Sequence, residues 1–203
     1  MINVLAFDLG GVLFSDGTRE FIEHLNRTSG VDTARADELL NGSLGSRYRE
    51  GRMSQDEFWA AFRRALGLSA SGPELAARWI DGYRLNEGTR NLIQDLSQDY
   101  DLYYLSDNVA ERVEAIERRY HFLRLFKGGV FSHEVGVRKP HPRIYEILLK
   151  RIGVEPQKIL FVDDKEWALA PAERIGMKTV LFRDSEQVRR ALEQLCIPRN
   201  QRG

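Results

Sequence analysis

The first apolar stretch of the chain, residues 2–7, ends at Asp8, and two glycines, Gly10 and Gly11, follow almost at once. Apart from Asn3 this stretch is apolar, and it is too short for a membrane-spanning helix. It therefore predicts a buried strand of a parallel sheet. A carboxylate at the end of such a strand, with a flexible turn behind it, is costly for structure alone. We therefore expect Asp8 to take part in the function of the protein.

The pattern changes between about residues 15 and 85, where amphipathic helical segments follow one another without a convincing strand between them. One of these segments begins near Ser54, whose spacing from Glu57 predicts a capping box. Another is indicated by Ser71 and by Pro73, which suits the first turn of a helix because it lacks an amide proton. We interpret the whole block as an inserted helical lobe.

From residue 86 onwards, apolar strands alternate with amphipathic helices. Strands are predicted at residues 102–105, 130–132, 158–164 and 179–182, and helices at 89–97, 111–120, 142–152, 166–175 and 185–195. This alternation is typical of crossover units, so we predict an α/β fold with a doubly wound parallel sheet. Residues 1–14 and 85–203 would form this core, and residues 15–84 a small α-helical domain inserted into it.

Charge and composition narrow the possible functions. Thirty basic residues balance thirty acidic ones, so no bulk field favours binding to nucleic acid or to an anionic membrane. Hydrophobic residues make up 42% and charged residues 30% of the chain, as in globular proteins that fold in water.

With no signal-like amino terminus, no spanning segment and a single cysteine, Cys196, we expect a cytoplasmic protein. The sequence is equally compatible with a monomer and a homodimer.

Candidate chemistry collects after the predicted strands. In an open parallel sheet, ligands bind beyond the carboxyl ends of the strands, so residues at these positions would share one rim. The rim residues are Asp8, Ser106, Asp107, Asn108, Lys139, Asp163 and Asp164. Carboxylates that meet without a histidine or cysteine cluster favour a hard cation, Mg²⁺ rather than Zn²⁺. A hydroxyl and an ammonium on the same rim suit a phosphoryl group.

Four motifs in this order, FDLGGVL, LYYLSDN, RKPHPRIY and ILFVDDKEWALAPAERIGM, resemble the haloacid dehalogenase (HAD) superfamily of hydrolases. The resemblance covers the core on both sides of the helical block. It implies a Rossmann-like core with a small helical cap over the active site. It also implies that Asp8 is the nucleophile that forms an aspartyl-phosphate, and that the backbone carbonyl of Gly10 completes the shell of a Mg²⁺ ion.

The resemblance implies roles for further rim residues. Ser106 matches the residue that hydrogen-bonds the transferring phosphoryl group. Lys139 matches the lysine that restrains the nucleophile and offsets phosphate charge, although beside Arg138 it would also suit a solvated loop. Asp164 matches the direct metal ligand, and Asp163 its supporting carboxylate.

Several of these residues have a structural alternative. Ser106 would also suit the cap of the following helix. Its neighbours Asp107 and Asn108 are candidate substrate-binding residues by position, but capping suits them better than chemistry. Asp163 and Asp164 would complement the positive end of a helix, although two acids at one strand end exceed what capping requires.

The chain departs from the resemblance at Gly10. The phosphatase branch of the superfamily usually has a second aspartate there, which acts as general acid and then as general base. Such assistance is typically worth about 10²–10⁴ in rate. Three outcomes follow: a substrate with a good leaving group, a proton from another residue such as Asp16 or one in the cap, or slow turnover.

We therefore predict a Mg²⁺-dependent phosphohydrolase that acts on a small phosphorylated metabolite, either a phosphate monoester or an acyl phosphate. One alternative is a catalytically silent binding or regulatory protein, which Gly10 alone favours. The other is a metal-free 2-haloacid dehalogenase in which Asp8 attacks carbon. Such a site would gain nothing from Asp163 and Asp164 and would suffer from their repulsion.

The helical lobe contributes two further groups of candidate residues. Arg47, Tyr48 and Arg49 are predicted to lie on a solvated helix face, with contact to a substrate anion as the alternative. Three tryptophans are predicted to pack inside the lobe or at its seam with the core, and they are Trp59, Trp79 and Trp167.

Overall fold

The structure is a computed structural model that describes residues 1–196, and the side chain of Cys196 lies outside the described part. Its strands are β1 (Val4–Phe7), β2 (Asp101–Ser106), β3 (Gly128–Phe131), β4 (Ile159–Asp163) and β5 (Lys178–Leu181). They form one sheet in the order β3-β2-β1-β4-β5, and every neighbouring pair is parallel. The predicted α/β fold with a parallel sheet is confirmed.

Five helices follow β1 before the next helix of the core, and we call this helical segment the insertion. Its helices are α1 (Gly17–Ser29), α2 (Thr33–Asn41), α3 (Ser43–Arg49), α4 (Gln55–Leu66) and α5 (Gly72–Asp81). The predicted capping box at Ser54 is present, because its hydroxyl accepts from the Glu57 amide while the Glu57 carboxylate accepts from the Ser54 amide at 2.9 Å. Ser71 and Glu74 form a second capping box at α5. Local sequence therefore determines where these two helices begin.

Two short chain segments connect the insertion to the sheet, and they pair with each other. The Ser15 amide donates to the Arg84 carbonyl at 2.8 Å, and the Asn86 amide donates to the Leu13 carbonyl at 2.8 Å. The insertion thus leaves and re-enters the core at one place, just beyond the end of β1.

The remaining helices alternate with the strands as the sequence predicts. They are α6 (Glu87–Leu96), α7 (Ala110–Tyr120), α8 (Ser132–Val135), α9 (Pro142–Ile152), α10 (Glu166–Arg174) and α11 (Ser185–Cys196), with single 3₁₀ turns at Phe122–Leu125 and Pro156–Lys158. Element boundaries differ from the predicted ones by up to two residues, and one difference changes a residue's role: Ser132 does not end the third predicted strand but begins the short helix α8. The Ser132 hydroxyl is used there, since it donates to the Arg49 carbonyl at 2.6 Å.

The side chains of β1 alternate between two apolar clusters, one on each face of the sheet. Leu5 and Phe7 belong to a large cluster that extends into the insertion. Val4 and Ala6 belong to a smaller cluster that includes residues of α9 and α10. The insertion therefore shares a continuous core with one face of the sheet.

Among residues 1–196, no helix combines the length and the apolar character that crossing a membrane requires.

The tryptophans do not all pack as predicted. Trp59 and Trp79 are each 1% exposed and stack edge-to-face within the insertion, as expected. Trp167 is 47% exposed, so its predicted packing role is wrong. It lies in the first turn of α10 and lines the cleft described below instead of filling the core.

Candidate active site

A cleft of about 1020 Å³ opens where β1, β2 and β4 end. Because these strands are parallel neighbours, the residues at their carboxyl ends meet at one edge. Asp8 directly follows β1, Ser106 ends β2 and Asp163 ends β4. The opposite wall includes residues of α1, α2 and α3, so the cleft lies between the sheet and the insertion.

Lys139 joins two of the predicted carboxylates. Its Nζ lies 2.6 Å from Asp163 Oδ2 and 3.0 Å from Asp8 Oδ1, and all three side chains are buried. The two carboxylates stabilise the buried ammonium. Removal of the lysine or of its carboxylate partners would leave an uncompensated buried charge. Lys139 is therefore part of the site rather than a solvated loop residue.

The site holds more negative charge than one lysine neutralises. Burial raises the pKa of Asp8 to about 8; Lys139 opposes this shift, whereas Asp163 and Asp164 add to it. Burial also raises the pKa of Asp163. Burial disfavours the charge on Lys139, but Asp163 and Asp8 outweigh that effect and hold the pKa of Lys139 above its ordinary value. An added cation would relieve this excess of negative charge.

Three carboxylates form a group that can hold a metal ion. Asp8, Asp163 and Asp164 each offer one oxygen atom, and these atoms lie within 4.8 Å of one another. Asp164 Oδ1 is buried and has no hydrogen-bond partner among the described residues. Asp163 is already occupied, because its Oδ2 binds Lys139 and its Oδ1 accepts from the Lys165 amide at 2.9 Å. The oxygen-only set fits a hard divalent cation, with Asp8 and Asp164 as the available ligands.

The two glycines of the first motif play different roles. Gly11 has φ +83°, and a Cβ atom there would lie 2.6 Å from Asp164 Cγ. Position 11 therefore requires glycine. Its backbone conformation disfavours a side chain, and the Asp164 carboxylate occupies the space that a Cβ atom would take. Gly10 lines the cleft at a φ that is not positive, and a Cβ atom there would meet only Tyr83 Cε1, at 3.6 Å. Sterics do not require a glycine at position 10.

Ser106, Asp107 and Asn108 all line the cleft, but none caps the following helix. The N-cap of α7 is Val109, which makes no side-chain capping bond, so the capping alternative is wrong for all three. Asp107 instead accepts from the Lys139 amide at 3.0 Å and from Arg138 Nε at 3.1 Å. This carboxylate positions the loop that carries Lys139, a role that the sequence analysis missed.

Helix α3 is not a uniformly solvated face. Arg47 is exposed as predicted, but Tyr48 and Arg49 are buried. Arg49 lines the cleft, and its Nη1 donates to the Leu40 carbonyl. The prediction is therefore wrong for Tyr48 and Arg49, because tertiary packing of α3 against neighbouring helices turns these side chains inward.

Arg112 is a second buried arginine at the cleft, and the sequence analysis did not single it out. Its guanidinium lies between the rings of Trp79 and Tyr83, at 4.1 and 4.2 Å from their centroids. Nη1 donates to the Tyr83 hydroxyl at 2.7 Å and Nε donates to Asn108 Oδ1 at 2.6 Å. In the sequence, Arg112 is one of several charged residues on α7, and nothing local distinguishes it.

The curated relatives differ in how much of their own length is matched by this chain. An uncharacterized protein of Dictyostelium discoideum is 28% identical over 207 residues, 88% of this chain and 90% of that protein. Sesquiterpene phosphatase astK of Aspergillus oryzae is 25% identical over 191 residues, 93% of this chain and 94% of that protein. Drimenol cyclase drtB of Aspergillus calidoustus is 25% identical over 210 residues, which are 100% of this chain but only 38% of that protein.

Solved structures share the architecture. A HAD-like family hydrolase from Porphyromonas gingivalis superposes with a TM-score of 0.79 at 25% identity, covering 98% of this chain and 100% of that one. A HAD family enzyme from Bacteroides thetaiotaomicron, in complex with magnesium and inorganic phosphate, has a TM-score of 0.74 at 22% identity, over 91% and 96% of the two chains. The L-2-haloacid dehalogenase of Xanthobacter autotrophicus has a TM-score of 0.67 at 22% identity, over 98% and 86%.

The family itself is decided by a match along most of the sequence. The family model of haloacid dehalogenase-like hydrolases matches residues 2–176. This range contains the whole insertion and every rim residue named above. The chain belongs to the haloacid dehalogenase-like hydrolase family.

Proposed function

We propose that this hydrolase is a Mg²⁺-dependent phosphatase that acts on a small phosphorylated metabolite through an aspartyl-phosphate on Asp8. The observation that carries the proposal is the unpartnered, buried Asp164 Oδ1 beside Asp8 and Asp163. A buried carboxylate oxygen without a partner is costly unless a cation binds it. A site that only needed a carboxylate to attack carbon would gain nothing from two further acids beside it.

In this proposal Asp8 acts as the nucleophile. One carboxylate oxygen forms a bond to phosphorus while the bond from phosphorus to the leaving-group oxygen breaks, and the leaving group takes the electron pair and then a proton. Water next attacks phosphorus, and the bond to Asp8 breaks to release inorganic phosphate. Lys139, 3.0 Å from Asp8 Oδ1, orients the carboxylate and offsets negative charge throughout.

The proposed metal ligands are Asp8, Asp164 and the backbone carbonyl of Gly10, with Asp163 as a supporting group. Bound there, Mg²⁺ would supply positive charge against the phosphoryl oxygens and would favour the ionised form of Asp8. Two comparisons support this reading: the Bacteroides thetaiotaomicron enzyme of the same fold was solved with magnesium and inorganic phosphate, and a relative of matching length is named a sesquiterpene phosphatase.

The kind of leaving group is argued from Gly10 and Asp16, the two positions considered for a proton donor. Gly10 provides no proton donor, and Asp16 is already used in structure. It is the N-cap of α1, where its Oδ1 accepts from the Arg19 amide at 3.1 Å. We therefore propose substrates whose leaving group needs little proton assistance, such as acyl phosphates or phosphates on an anomeric carbon. The insertion, residues 15–84, is proposed to be the cap that closes over them.

The test is phosphate release from acetyl phosphate, glucose 1-phosphate and glycerol 3-phosphate, with and without EDTA. We expect release that EDTA abolishes and that Asp8→Asn removes. Asp37→Asn is the matched control, since it removes a carboxylate that lines the cleft but binds Asn41 in α2. Mg²⁺ with beryllofluoride should also raise the melting temperature of the wild type and not that of Asp8→Asn. Equal phosphate release by Asp8→Asn, or halide release from 2-chloropropionate that survives EDTA, would overturn the proposal.

A further inference from the structure

Two buried arginine side chains line the cleft on the side of the insertion. Arg49 of α3 is 5% exposed and Arg112 of α7 is 2% exposed, and both belong to the cleft wall. Their guanidinium groups contact the same ring, since their Cζ atoms lie 5.6 and 4.1 Å from the Trp79 centroid. Two buried positive charges next to one another are costly unless an anion compensates them.

The protein does not provide that anion within the described part of the chain. No carboxylate among residues 1–196 lies within 4.0 Å of either guanidinium, although ion pairs of this length are frequent elsewhere in the molecule. Asp107 acts electrostatically on Arg49 but is occupied, because its two oxygens accept from Arg138 Nε at 3.1 Å and from the Lys139 amide at 3.0 Å. Within the described residues, neither guanidinium therefore has a contacting anion, and the carboxylates that act on them do so from beyond 4.0 Å.

The two arginines differ in how many of their donors are used. Arg112 gives its hydrogen bonds to neutral oxygens: the Asn108 amide, the Tyr83 hydroxyl and the Asp107 carbonyl. Arg49 has five N–H groups, and its one side-chain hydrogen bond within residues 1–196 runs from Nη1 to the Leu40 carbonyl. Burial, followed by the charge of Arg112, lowers the pKa of Arg49 to about 10, so Arg49 still carries its charge at neutral pH. Arg49 thus retains donors for a ligand, and Arg112 adds charge behind it.

The position of this pair fits one end of a substrate whose other end reacts. Tyr83 lies between the two sites, because Arg112 contacts its ring while a Cβ atom at Gly10, on the proposed metal-binding turn, would lie 3.6 Å from Cε1 of the same ring. The cleft, about 1020 Å³, is much larger than a phosphate group. Because Asp8 and Arg49 line this one cleft, a single molecule could place a phosphoryl group at Asp8 and an oxyanion at Arg49.

We infer that the substrate carries a second anionic group, a phosphate or a carboxylate, which Arg49 binds with the support of Arg112. This inference rests on the proposed phosphatase function and specifies its substrate class: small bis-anionic phosphate compounds. Guanidinium groups suit both kinds of oxyanion, because their N–H groups match the oxygens in pairs.

The experiment compares matched pairs of probes that differ in one anionic group. Glucose 1,6-bisphosphate is compared with glucose 1-phosphate, and 3-phosphoglycerate with glycerol 3-phosphate. Binding is measured by calorimetry on Asp8→Asn with Mg²⁺, and phosphate release on the wild type. The bis-anionic member of a pair is expected to bind about tenfold to hundredfold more tightly, as hydrogen bonds to charged groups predict. Preference in the first pair assigns a phosphate, and preference in the second a carboxylate.

Substitution of the arginine tests whether this preference comes from Arg49. Arg49→Met should abolish this preference, measured as the ratio of the two binding constants within each pair. Arg47→Met is the matched control, since Arg47 is exposed on the same helix, and it should keep the full preference. Arg49→Lys retains the charge and should keep part of the preference, which separates loss of binding from loss of folding.

The possible results separate this inference from the proposed function. Phosphate release without any preference for bis-anionic probes would overturn the second-anion site and support the phosphatase. A bis-anionic preference that Arg49→Met abolishes, without phosphate release from any probe, would support the site and overturn the phosphatase. Equal weakening of all probes by Arg49→Met would also overturn the inference, because it would show a general structural effect.

Discussion

Gly11 packs directly against the carboxylate of Asp164, so closely that a Cβ atom at position 11 would lie 2.6 Å from Asp164 Cγ. The turn after β1 is therefore in direct contact with Asp164, the residue that follows β4. Gly11 also has φ +83°, which L-residues with side chains rarely adopt. The second glycine of FDLGGVL is thus explained by its contact with a residue more than 150 positions later in the chain.

Gly11→Ala should weaken Mg²⁺ binding at least tenfold, because the new methyl group would displace the Asp164 carboxylate. The strained backbone should also lower the melting temperature by roughly 2–8 °C, since it costs about 1–2 kcal/mol. Calorimetry and thermal unfolding measure the two effects. Gly153→Ala is the control, because Gly153 has φ +74° with nothing within 4 Å of the added atom. If both variants bound Mg²⁺ like the wild type, the close approach would not matter for the metal.

Gly10→Asp should fold normally and hydrolyse simple alkyl phosphates faster. A Cβ atom there meets only Tyr83 Cε1, at an ordinary contact distance, and an aspartate would add the carboxylate that serves as general acid. The kcat for glycerol 3-phosphate should rise at least tenfold, up to about 10²–10⁴, while that for acetyl phosphate should change little. Gly10→Asn has the same size without a proton to donate and should give no increase. A folded Gly10→Asp with an unchanged rate would rule out leaving-group protonation as the limiting step.

Lys139→Met should lower the free energy of unfolding by about 3–5 kcal/mol, because it leaves the buried carboxylates of Asp8 and Asp163 without their cation. Urea unfolding without Mg²⁺ measures this loss. Lys165→Met removes a lysine that pairs with Asp164 at 2.8 Å but whose side chain is 44% exposed, so its cost should stay within about 1 kcal/mol. Similar costs for the two variants would contradict the structural role assigned to Lys139.

The two capping boxes should contribute to stability only above acidic pH. Hydrogen bonds from Ser54 and Ser71, first from the backbone and then from the hydroxyl, lower the pKa of Glu57 and of Glu74. A carboxyl group whose pKa is lowered by folding stabilises the protein above its unfolded value, about 4.3, and loses that contribution as the pH falls through the folded value.

The double variant Glu57→Gln, Glu74→Gln should therefore melt below the wild type at neutral pH, and the difference should shrink as the pH falls below the unfolded value of about 4.3. Thermal unfolding followed by circular dichroism at several pH values measures it. Glu114→Gln removes an exposed carboxylate from the middle of α7 and should show no such trend. A difference that persists unchanged in acid would mean that the charge of these carboxylates is not what stabilises the helices.

Much of the architecture could be predicted because it depends on local pattern. Strand-helix alternation after residue 86 indicated a parallel sheet, and parallel strands bring their carboxyl ends to one edge whatever the details of packing. Hence the sequence alone could place Asp8, Ser106 and Asp163 on one rim. The capping box at Ser54 was likewise predictable, since it involves residues three apart.

The sequence by itself determined the order of the elements and the residues at the strand ends, because both follow from short-range periodicity and from the topology of a parallel sheet. Only the tertiary structure decided which charges are buried. Arg47 and Arg49 lie two positions apart on one helix, yet one is exposed and the other lines the cleft, because burial depends on neighbouring helices that are distant in sequence. The same long-range packing brought Arg112 to Arg49 and Gly11 to Asp164, and no local pattern records such contacts.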